Sequence, residues 1–233
     1  MPRKPRCVVP GVAHHLTQRG VDKMEVFSTA GDREVYLDLV RDNLKFAGTQ
    51  ILAYCLMPNH VHWIVIPEHE DSLAMLFQRV HGRYAQYWNA RTRRSGHLWQ
   101  NRYFSCALGR DHLAAALRYV EWNPIRAGMV QEAVDYAWSS AARHVEGPHG
   151  DARGLLDWAF WREMGGGGAW RLLLDMPEDQ RVSQRLRSCT YAGRPLGSAD
   201  FLLEMEERFS RHWTAVGRPP KKVPEQSDTI STG

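Results

Sequence analysis

The stretch that decides the fold is Met57-Pro58-Asn59-His60-Val61-His62-Trp63-Ile64-Val65. Apolar residues fill the segments on either side of Pro58-Asn59, from Ile51 to Met57 and from His60 to Ile66, and this pattern predicts two strands joined by a tight turn. Because side chains alternate along a strand, His60 and His62 are predicted to project from one face of the sheet. Val61 and Ile64 are predicted to point the other way, into a helix-covered core.

The His60-x-His62 pair has two interpretations. Two imidazoles one strand period apart can share one metal ion. Two histidines on a half-exposed sheet face are also a common arrangement without any ligand, and short motifs recur by chance. Taken alone, the motif favours the second interpretation.

The segments around this hairpin alternate between strand and helix patterns. Strands are predicted at residues 13–19 and 102–108, and helices at residues 32–46, 73–91 and 112–122. Ser72 and Asp111 are predicted to cap the last two helices, and Pro124 is predicted to end the last one because proline cannot continue the hydrogen-bond ladder. This order predicts an α+β fold, a ferredoxin-like four-stranded antiparallel sheet with helices on one face.

Beyond residue 145 the pattern weakens, and glycines such as the run from Gly165 to Gly168 interrupt it. Short helices are predicted at residues 154–164, 178–188 and 198–211. The chain is therefore expected to divide into a first domain over residues 1–145, a helical C-terminal extension over residues 146–215, and a basic, disordered tail over residues 216–233.

The composition is that of a globular protein. The chain has 233 residues, of which 43% are hydrophobic and 24% charged. No apolar run approaches the ~20 residues that span a bilayer, and the start lacks the apolar segment of a secretory signal. The four cysteines form no C-x-x-C pair, which argues against a thiolate zinc site and a disulfide framework. We expect buried thiols in a cytoplasmic, nucleoid-associated protein with no membrane contact.

The charge is unevenly distributed, although the net charge is only +4. No acidic residue lies between Ser72 and Arg110, and that stretch holds the arginines Arg79, Arg83, Arg91, Arg93, Arg94, Arg102 and Arg110. A segment of one sign attracts polyanions, whereas a merely solvated helix face would normally mix both signs. Nucleic acid is therefore the favoured partner.

A second motif is Tyr119-Val120-Glu121-Trp122-Asn123-Pro124. Tyr119 and Asn123 are four residues apart, so a helix places them on one face. A phenol there could attack a phosphorus atom, and the amide oxygen of Asn123 could ligate a metal. An isolated tyrosine on a helix more often packs than reacts, and the pairing with His60-x-His62 on a compatible fold is what favours the chemical interpretation.

Together these motifs resemble the single-tyrosine HUH transposases, in which H is histidine and U a hydrophobic residue, and among them the REP-associated tyrosine transposases. The matching stretches cover about residues 10–145 in order, and any one of them alone would be unspecific. They are His15-Leu16-Thr17-Gln18-Arg19-Gly20, Met57 to His62, Gly96 to Tyr103, Tyr119 to Gly128, and Trp138-Ser139-Ser140, with Gly193-Arg194-Pro195-Leu196-Gly197 as a later echo.

The resemblance implies a metal-dependent enzyme that cuts and rejoins single-stranded DNA at hairpin repeats. Tyr119 would be the nucleophile that forms a 5′-phosphotyrosine and releases a 3′-hydroxyl. His60 and His62 would take the metal-binding positions and Asn123 that of the third ligand, where many relatives have glutamine. Imidazole and amide ligands with open water positions suit Mg²⁺ or Mn²⁺.

Cations and aromatic rings alternate after residue 79, which suits backbone contact and base stacking on DNA. The predicted DNA-binding residues are Arg19, Arg79, Arg83, Arg91, Arg93, Arg94, Arg102 and Arg218. Arg19 is predicted to reach the scissile phosphate. Arg218 opens a segment that resembles a minor-groove hook or, equally, a solvating basic terminus. Tyr84 and Tyr87 stand at helical spacing and are expected more often in the core than on DNA.

Two other functions remain open at this stage. The chain could bind repeat DNA by occupancy after its catalysis has lapsed, or water could attack the phosphate while Tyr119 only positions it. The remaining histidines of this half (His14, His15, His81, His97 and His112) have no comparable ligand spacing and are expected to be structural. The sequence is compatible with a monomer or a homodimer.

Overall fold

The computed structural model describes residues 6–213 and has a four-stranded antiparallel sheet at its centre. The strands are β1 (His14–Arg19), β2 (Thr49–Met57), β3 (His60–Pro67) and β4 (Phe104–Ala107), in the spatial order β2-β3-β1-β4. Met57 pairs with His60 across the Pro58-Asn59 turn, as the hairpin pattern predicts. This strand order is that of the ferredoxin-like arrangement, so the predicted fold class is confirmed.

Two long helices, α1 (Ala30–Ala47) and α2 (Ser72–Thr92), pack together over one face of the sheet. Helix α1 begins with a reciprocal capping box, in which the Thr29 hydroxyl accepts from the Asp32 amide and the Asp32 carboxylate accepts from the Thr29 amide. It ends at Gly48, whose φ of 57° lies in the left-handed region that glycine adopts without strain. The predicted helix over residues 32–46 was therefore within two residues of α1 at each end, and the cap at Thr29 explains why α1 begins before residue 32.

The two predicted caps were wrong. Ser72 is the first residue of α2, which Asp71 precedes, and the Ser72 hydroxyl accepts from the His69 amide before the helix begins. Helix α3 (Arg110–Glu121) follows Gly109, so Asp111 lies inside its first turn, where its negative charge interacts favourably with the positive end of the helix dipole. A separate short helix, α4 (Asn123–Arg126), begins at Asn123, and Pro124 lies in its first turn.

The two faces of the sheet bury different side chains. Val61, Trp63 and Val65 of β3 pack into the cluster formed with α1 and α2. Ile64 packs instead with Tyr119 and other residues of α3. The prediction that Ile64 shares a face with Val61 was wrong, because residues three apart on a strand point to opposite sides.

The face opposite α1 and α2 is covered by α3 and by helices of the C-terminal extension. The helices of the extension on this face are α6 (Trp158–Glu163), α7 (Gly166–Asp175) and α8 (Gln180–Ala192), and α5 (Ala141–Glu146) joins them from just before the extension. Helix α9 (Ala199–Phe209) packs elsewhere, with Met205 against Cys7, Val9 and Ala107. Trp161, Trp170 and Leu186 of this region share one buried cluster with Tyr119 and Ile64. Residues on both sides of position 145 thus form a common core.

Helix α7 was not predicted, because its glycine run reads as a chain break. One position in this run, Gly167, must be glycine, because a Cβ atom there would collide with the backbone oxygen of Val145. The close approach lets α7 pack against α5. Only a residue without a side chain fits.

Several smaller expectations have outcomes in the structure. The thiols of Cys7, Cys55 and Cys106 are buried and that of Cys189 partly so, and all four are unpaired. Within residues 6–213, no helix has both the length and the apolar character to cross a bilayer. The predicted tail over residues 216–233, with Arg218, lies outside the described part of the chain.

Candidate active site

His60 and His62 project from the same face of β3, as predicted, and their ring centroids are 4.9 Å apart. The neighbouring strand β1 places Arg19 opposite His60 and Thr17 opposite His62. Both imidazoles are almost enclosed, with 4% and 2% of their surface exposed. The two histidines therefore lie on a covered face of the sheet and not on the half-exposed face that the motif alone favours.

Tyr119 lies at the end of α3, directly beside this pair. Its ring meets the His62 ring edge-on at a centroid distance of 5.8 Å. It meets the His15 ring in the same way at 5.6 Å. The helix and the two central strands therefore bring the predicted nucleophile next to the predicted ligands, although the two motifs lie on separate elements of the chain.

Two arginines enclose Tyr119. The guanidinium carbon of Arg126 lies 4.4 Å from the centre of the Tyr119 ring, and Nε of Arg187 on α8 donates to the Tyr119 hydroxyl at 3.5 Å. Arg126 is held in turn by an ion pair with Glu178. As a result only 3% of Tyr119 is exposed. Neither Arg126 nor Arg187 was among the predicted site residues.

Asn123 keeps its amide within the helix end. Its Nδ2 donates to the backbone oxygens of Tyr119 and Val120, both at 3.1 Å. Its Oδ1 accepts from Nη1 of Arg126 at 3.0 Å. The oxygen that was predicted to ligate a metal is therefore engaged by a guanidinium, which leaves it one further lone pair.

Both histidines of the pair are held in the neutral form. Burial lowers the pKa of His60 to about 3, assisted by the charges of Arg19, Arg187 and Arg126. Burial, followed by the neighbouring imidazoles of His60 and His15, lowers the pKa of His62 well below its usual value. Neutral imidazole is the form that binds metals, so the pair is ready as ligands at neutral pH.

The hydrogen bonds of the pair leave ligand positions available. Nδ1 of His60 is 2.5 Å from the Oδ1 acceptor of Asn59, so this nitrogen carries the hydrogen and Nε2 has the lone pair. Nδ1 of His62 is 2.9 Å from Nε2 of His15, while its own Nε2 is buried without a hydrogen-bond partner among residues 6–213. A buried, unpartnered lone pair fits a metal ligand, because burying a polar atom without a partner is otherwise costly.

His15, which was expected to be structural, lies directly beside this pair. It lies on β1 with the same alternation as Thr17 and Arg19, so the three share a face. That alternation was visible in the sequence. What could not be read was that β1 lies beside β3, which brings the ring of His15 within hydrogen-bond distance of His62.

The structure separates the predicted DNA-binding arginines. Arg19 lies in the site itself. Arg91 is bound to the buried Asp32, with Nε 2.8 Å from Oδ1, so it has a structural partner. Arg79 and Arg83 are exposed on α2, on the opposite side of the sheet from the histidine pair. Their contact with DNA remains a prediction.

The other arginines lie nearer the ends of elements. Arg93 and Arg94 are exposed just after α2, and Arg94 contacts the sulfur of Met24. Arg102 lines a cleft of about 760 Å³ beside the edge strand β4. Three further arginines line the same cleft, together with four aromatic rings; they are Arg6, Arg194 and Arg211, with Tyr103, Phe104, Tyr191 and Trp213.

Comparison with known proteins finds similar sequences and a similar fold. The family model described as “Transposase IS200 like” matches residues 9–123. A Haemophilus influenzae protein assigned to the REP-associated tyrosine transposases is 26% identical over 108 residues, which are 42% of this chain and 61% of that protein. The chain thus matches less than two thirds of this relative's length.

A solved structure, that of a REP-associated tyrosine transposase bound to a REP hairpin, has the same fold. Its TM-score is 0.54 at 19% identity, over 67% of this chain and 89% of that chain. At this identity the likeness supports the fold alone. The region that matches the family model contains both histidines, Tyr119 and Asn123, and the chain is similar to the IS200-like transposases and to a REP-associated tyrosine transposase.

Proposed function

We propose that this chain is a metal-dependent endonuclease and strand transferase that acts on single-stranded DNA through a 5′-phosphotyrosine. The observation that carries the proposal is the enclosed cluster of Tyr119, His60 and His62, in which Nε2 of His62 has no partner. A tyrosine, two neutral imidazoles and several guanidinium groups are the groups that attack on a phosphodiester requires.

In the proposed step, the Tyr119 hydroxyl oxygen attacks the phosphorus in line with the leaving 3′-oxygen. The bond from phosphorus to the 3′-oxygen breaks as the bond to tyrosine forms. The phenol loses one proton and the 3′-oxygen gains one, so the exchange of one phosphodiester for another is balanced and needs no ATP. Attack by a 3′-hydroxyl on the phosphotyrosine reverses the step and joins strands.

His60 and His62 would hold the divalent ion, Mg²⁺ or Mn²⁺, through their Nε2 atoms. A bound ion would neutralise charge on a non-bridging phosphate oxygen and align the attack. Within residues 6–213, no three histidine, cysteine or acidic side chains converge on one point. The remaining ligands would therefore be water, phosphate oxygens and Oδ1 of Asn123, which Arg126 would share.

The arginines around the cluster would bind the phosphate itself. The charges of Arg19, Arg126 and Arg187 all act on His60, so three cations converge on this point from β1, α4 and α8. Guanidinium groups suit a phosphate because they donate paired hydrogen bonds in one plane. Tyr119 is almost fully covered, so a phosphate reaches its hydroxyl only when Arg187 or Arg126 moves aside.

We further propose that the substrate is a hairpin-forming repeat, bound by a monomer or a homodimer at the nucleoid. The support is the match to the family model, the cationic cluster, and a protein of the same fold that is bound to a REP hairpin. The cleft with Arg102 offers cations and rings for backbone contact and base stacking outside the reacting centre.

The test uses a fluorescent hairpin with a single-stranded flank, incubated with the full chain and Mn²⁺ or Mg²⁺. We expect a protein–DNA adduct on a denaturing gel that needs the ion and disappears with EDTA. Tyr119→Phe should abolish the adduct. Tyr136→Phe is the matched control, because its hydroxyl donates to the backbone oxygen of Leu56 and its loss should leave the adduct intact.

The outcomes separate the alternatives. An undiminished adduct in Tyr119→Phe would refute the tyrosine mechanism. Cleavage to a free 5′-phosphate without any adduct would assign the attack to water. If the parent protein and Tyr119→Phe both bind the hairpin tightly and neither cleaves it, the second candidate is favoured, a repeat-DNA-binding protein without catalysis. The near-complete burial of Tyr119 is the observation that motivates this candidate.

A further inference from the structure

A line of hydrogen bonds leads from the C-terminal extension to the unpartnered nitrogen of His62. The Thr190 hydroxyl on α8 is 2.7 Å from Nδ1 of His15, whose Nε2 is 2.9 Å from Nδ1 of His62. Thr190 and His15 are 175 positions apart in the chain and both are 1% exposed. Three elements therefore meet through two hydrogen bonds in a region that water does not reach.

The donors and acceptors along this line can be assigned from one end. The Thr190 hydroxyl has a single hydrogen, which it donates to the backbone oxygen of Leu186 one turn earlier, at 2.8 Å. Toward His15 it can therefore only accept. The hydrogen of His15 must lie on Nδ1, and this leaves its Nε2 as an acceptor.

The same reasoning continues to His62. Because Nε2 of a neutral His15 accepts, the hydrogen between the two rings belongs to Nδ1 of His62. The two rings are nearly parallel, with 7° between their planes and 5.1 Å between their centroids, and this arrangement is compatible with the bond. Nε2 of His62 is then the lone-pair nitrogen, and it is the atom that is buried without a partner.

We propose that Thr190 and His15 are positioning residues that fix the tautomer of His62, so that its Nε2 presents a lone pair to the metal. The inference rests on the proposed role of His62 as a ligand. It assigns a part in the site to the C-terminal extension, which the family match over residues 9–123 does not include. His60, by contrast, takes its tautomer from its chain neighbour Asn59.

The physical consequence is a selective loss when the hydroxyl is removed. Without Thr190 Oγ1 as an acceptor, Nδ1–H of His15 would be buried unpaired, which removes the preference of His15 for this tautomer. The other tautomer then becomes populated as well, in which Nε2–H of His15 donates to Nδ1 of His62 and the hydrogen of His62 lies on Nε2. Loss of such an outer partner typically lowers metal affinity about 10–100-fold.

The experiment compares Thr190→Val, which keeps the shape and removes the hydroxyl, with Thr190→Ser, which keeps the hydroxyl. Long-range ¹H–¹⁵N NMR of the metal-free full chain reads the tautomer of His62, and titration with Mn²⁺ reads its affinity. We expect the Nδ1–H tautomer in the parent protein and in Thr190→Ser. In Thr190→Val we expect the Nε2–H tautomer to become populated beside Nδ1–H, with Mn²⁺ binding weakened by up to about 10–100-fold.

An unchanged tautomer and an unchanged Mn²⁺ affinity in Thr190→Val would overturn the inference. If that variant does not fold, a second pair decides: His15→Gln retains an acceptor for His62 and His15→Leu removes it, so only the second should lose Mn²⁺ affinity. Equal loss in both of these would also overturn it.

Failure of the proposed function gives a different result. A parent protein that shows the Nδ1–H tautomer but binds no Mn²⁺ would refute the metal site and support the hydrogen-bond line. A parent protein that binds Mn²⁺ through His62 but shows Nε2–H when metal-free would refute the line and leave the proposed function standing.

Discussion

The extension is joined to α3 by a buried carboxylate, and this junction makes a quantitative prediction. Glu121 is fully buried and accepts hydrogen bonds from Ser140, His144 and Trp170, the last from Nε1 at 2.7 Å. A second tryptophan of the extension, Trp161, donates its Nε1 to the neutral backbone oxygen of Leu52 at 3.0 Å. Both indoles are at most 3% exposed, so they form a matched pair.

Replacing either tryptophan by phenylalanine removes the same atoms, so the cost of lost packing is similar for the two. The hydrogen bonds differ, because a bond to a charged group contributes about 1.5–3 kcal/mol and a bond between neutral groups about 0.5–1.5 kcal/mol. Trp170→Phe should therefore lower the free energy of unfolding by roughly 1–2 kcal/mol more than Trp161→Phe.

The measurement is urea unfolding of the full chain at pH 7, followed by tryptophan fluorescence and by far-ultraviolet circular dichroism. Because the extension and the sheet share one buried cluster, both signals should change in a single transition. Equal destabilisation by the two substitutions would refute the importance of the carboxylate. Two separate transitions would refute the shared core.

Three further predictions concern single side chains. Arg91→Ala should lower the free energy of unfolding by about 1–2 kcal/mol, because it leaves the buried Asp32 without its ion pair. The control Arg83→Ala, at an exposed position, should change it by less than about 0.5 kcal/mol. Equal effects of the two substitutions in urea unfolding would contradict this prediction. Burial lowers the pKa of His81 to about 3. The unfolded chain therefore takes up the proton first, near pH 6.5, and the free energy of unfolding falls as the pH falls from 6.5 toward 3. Between pH 7 and 5 the loss should be roughly 2 kcal/mol, and His81→Gln should remove that part of the pH dependence. Arg187→Gln should slow adduct formation about 10²-fold in a single-turnover assay, whereas exposed Arg185→Gln on the same helix should not.

Local patterns in the sequence were sufficient to predict the sheet. Apolar alternation on both sides of Pro58-Asn59 predicts β2 and β3, and the same alternation puts His60 and His62 on one face. Both are short-range consequences of backbone geometry, so no tertiary information was needed. The approximate positions of α1, α2 and α3 were predicted in the same way. Their first residues were not, because a cap depends on one hydrogen bond that several neighbouring residues can make.

Only the tertiary structure shows which residues surround the paired histidines and Tyr119. His15, Arg187 and Thr190 come from distant parts of the chain, and nothing in the local pattern of β1 or α8 shows that they meet His62 and Tyr119. Strand order and helix docking follow from the summed burial of many apolar side chains, a property of the whole fold. The sequence by itself therefore determined the sheet and its paired histidines, and the packing of β1 and α8 around them determined how the tyrosine and the imidazoles are held.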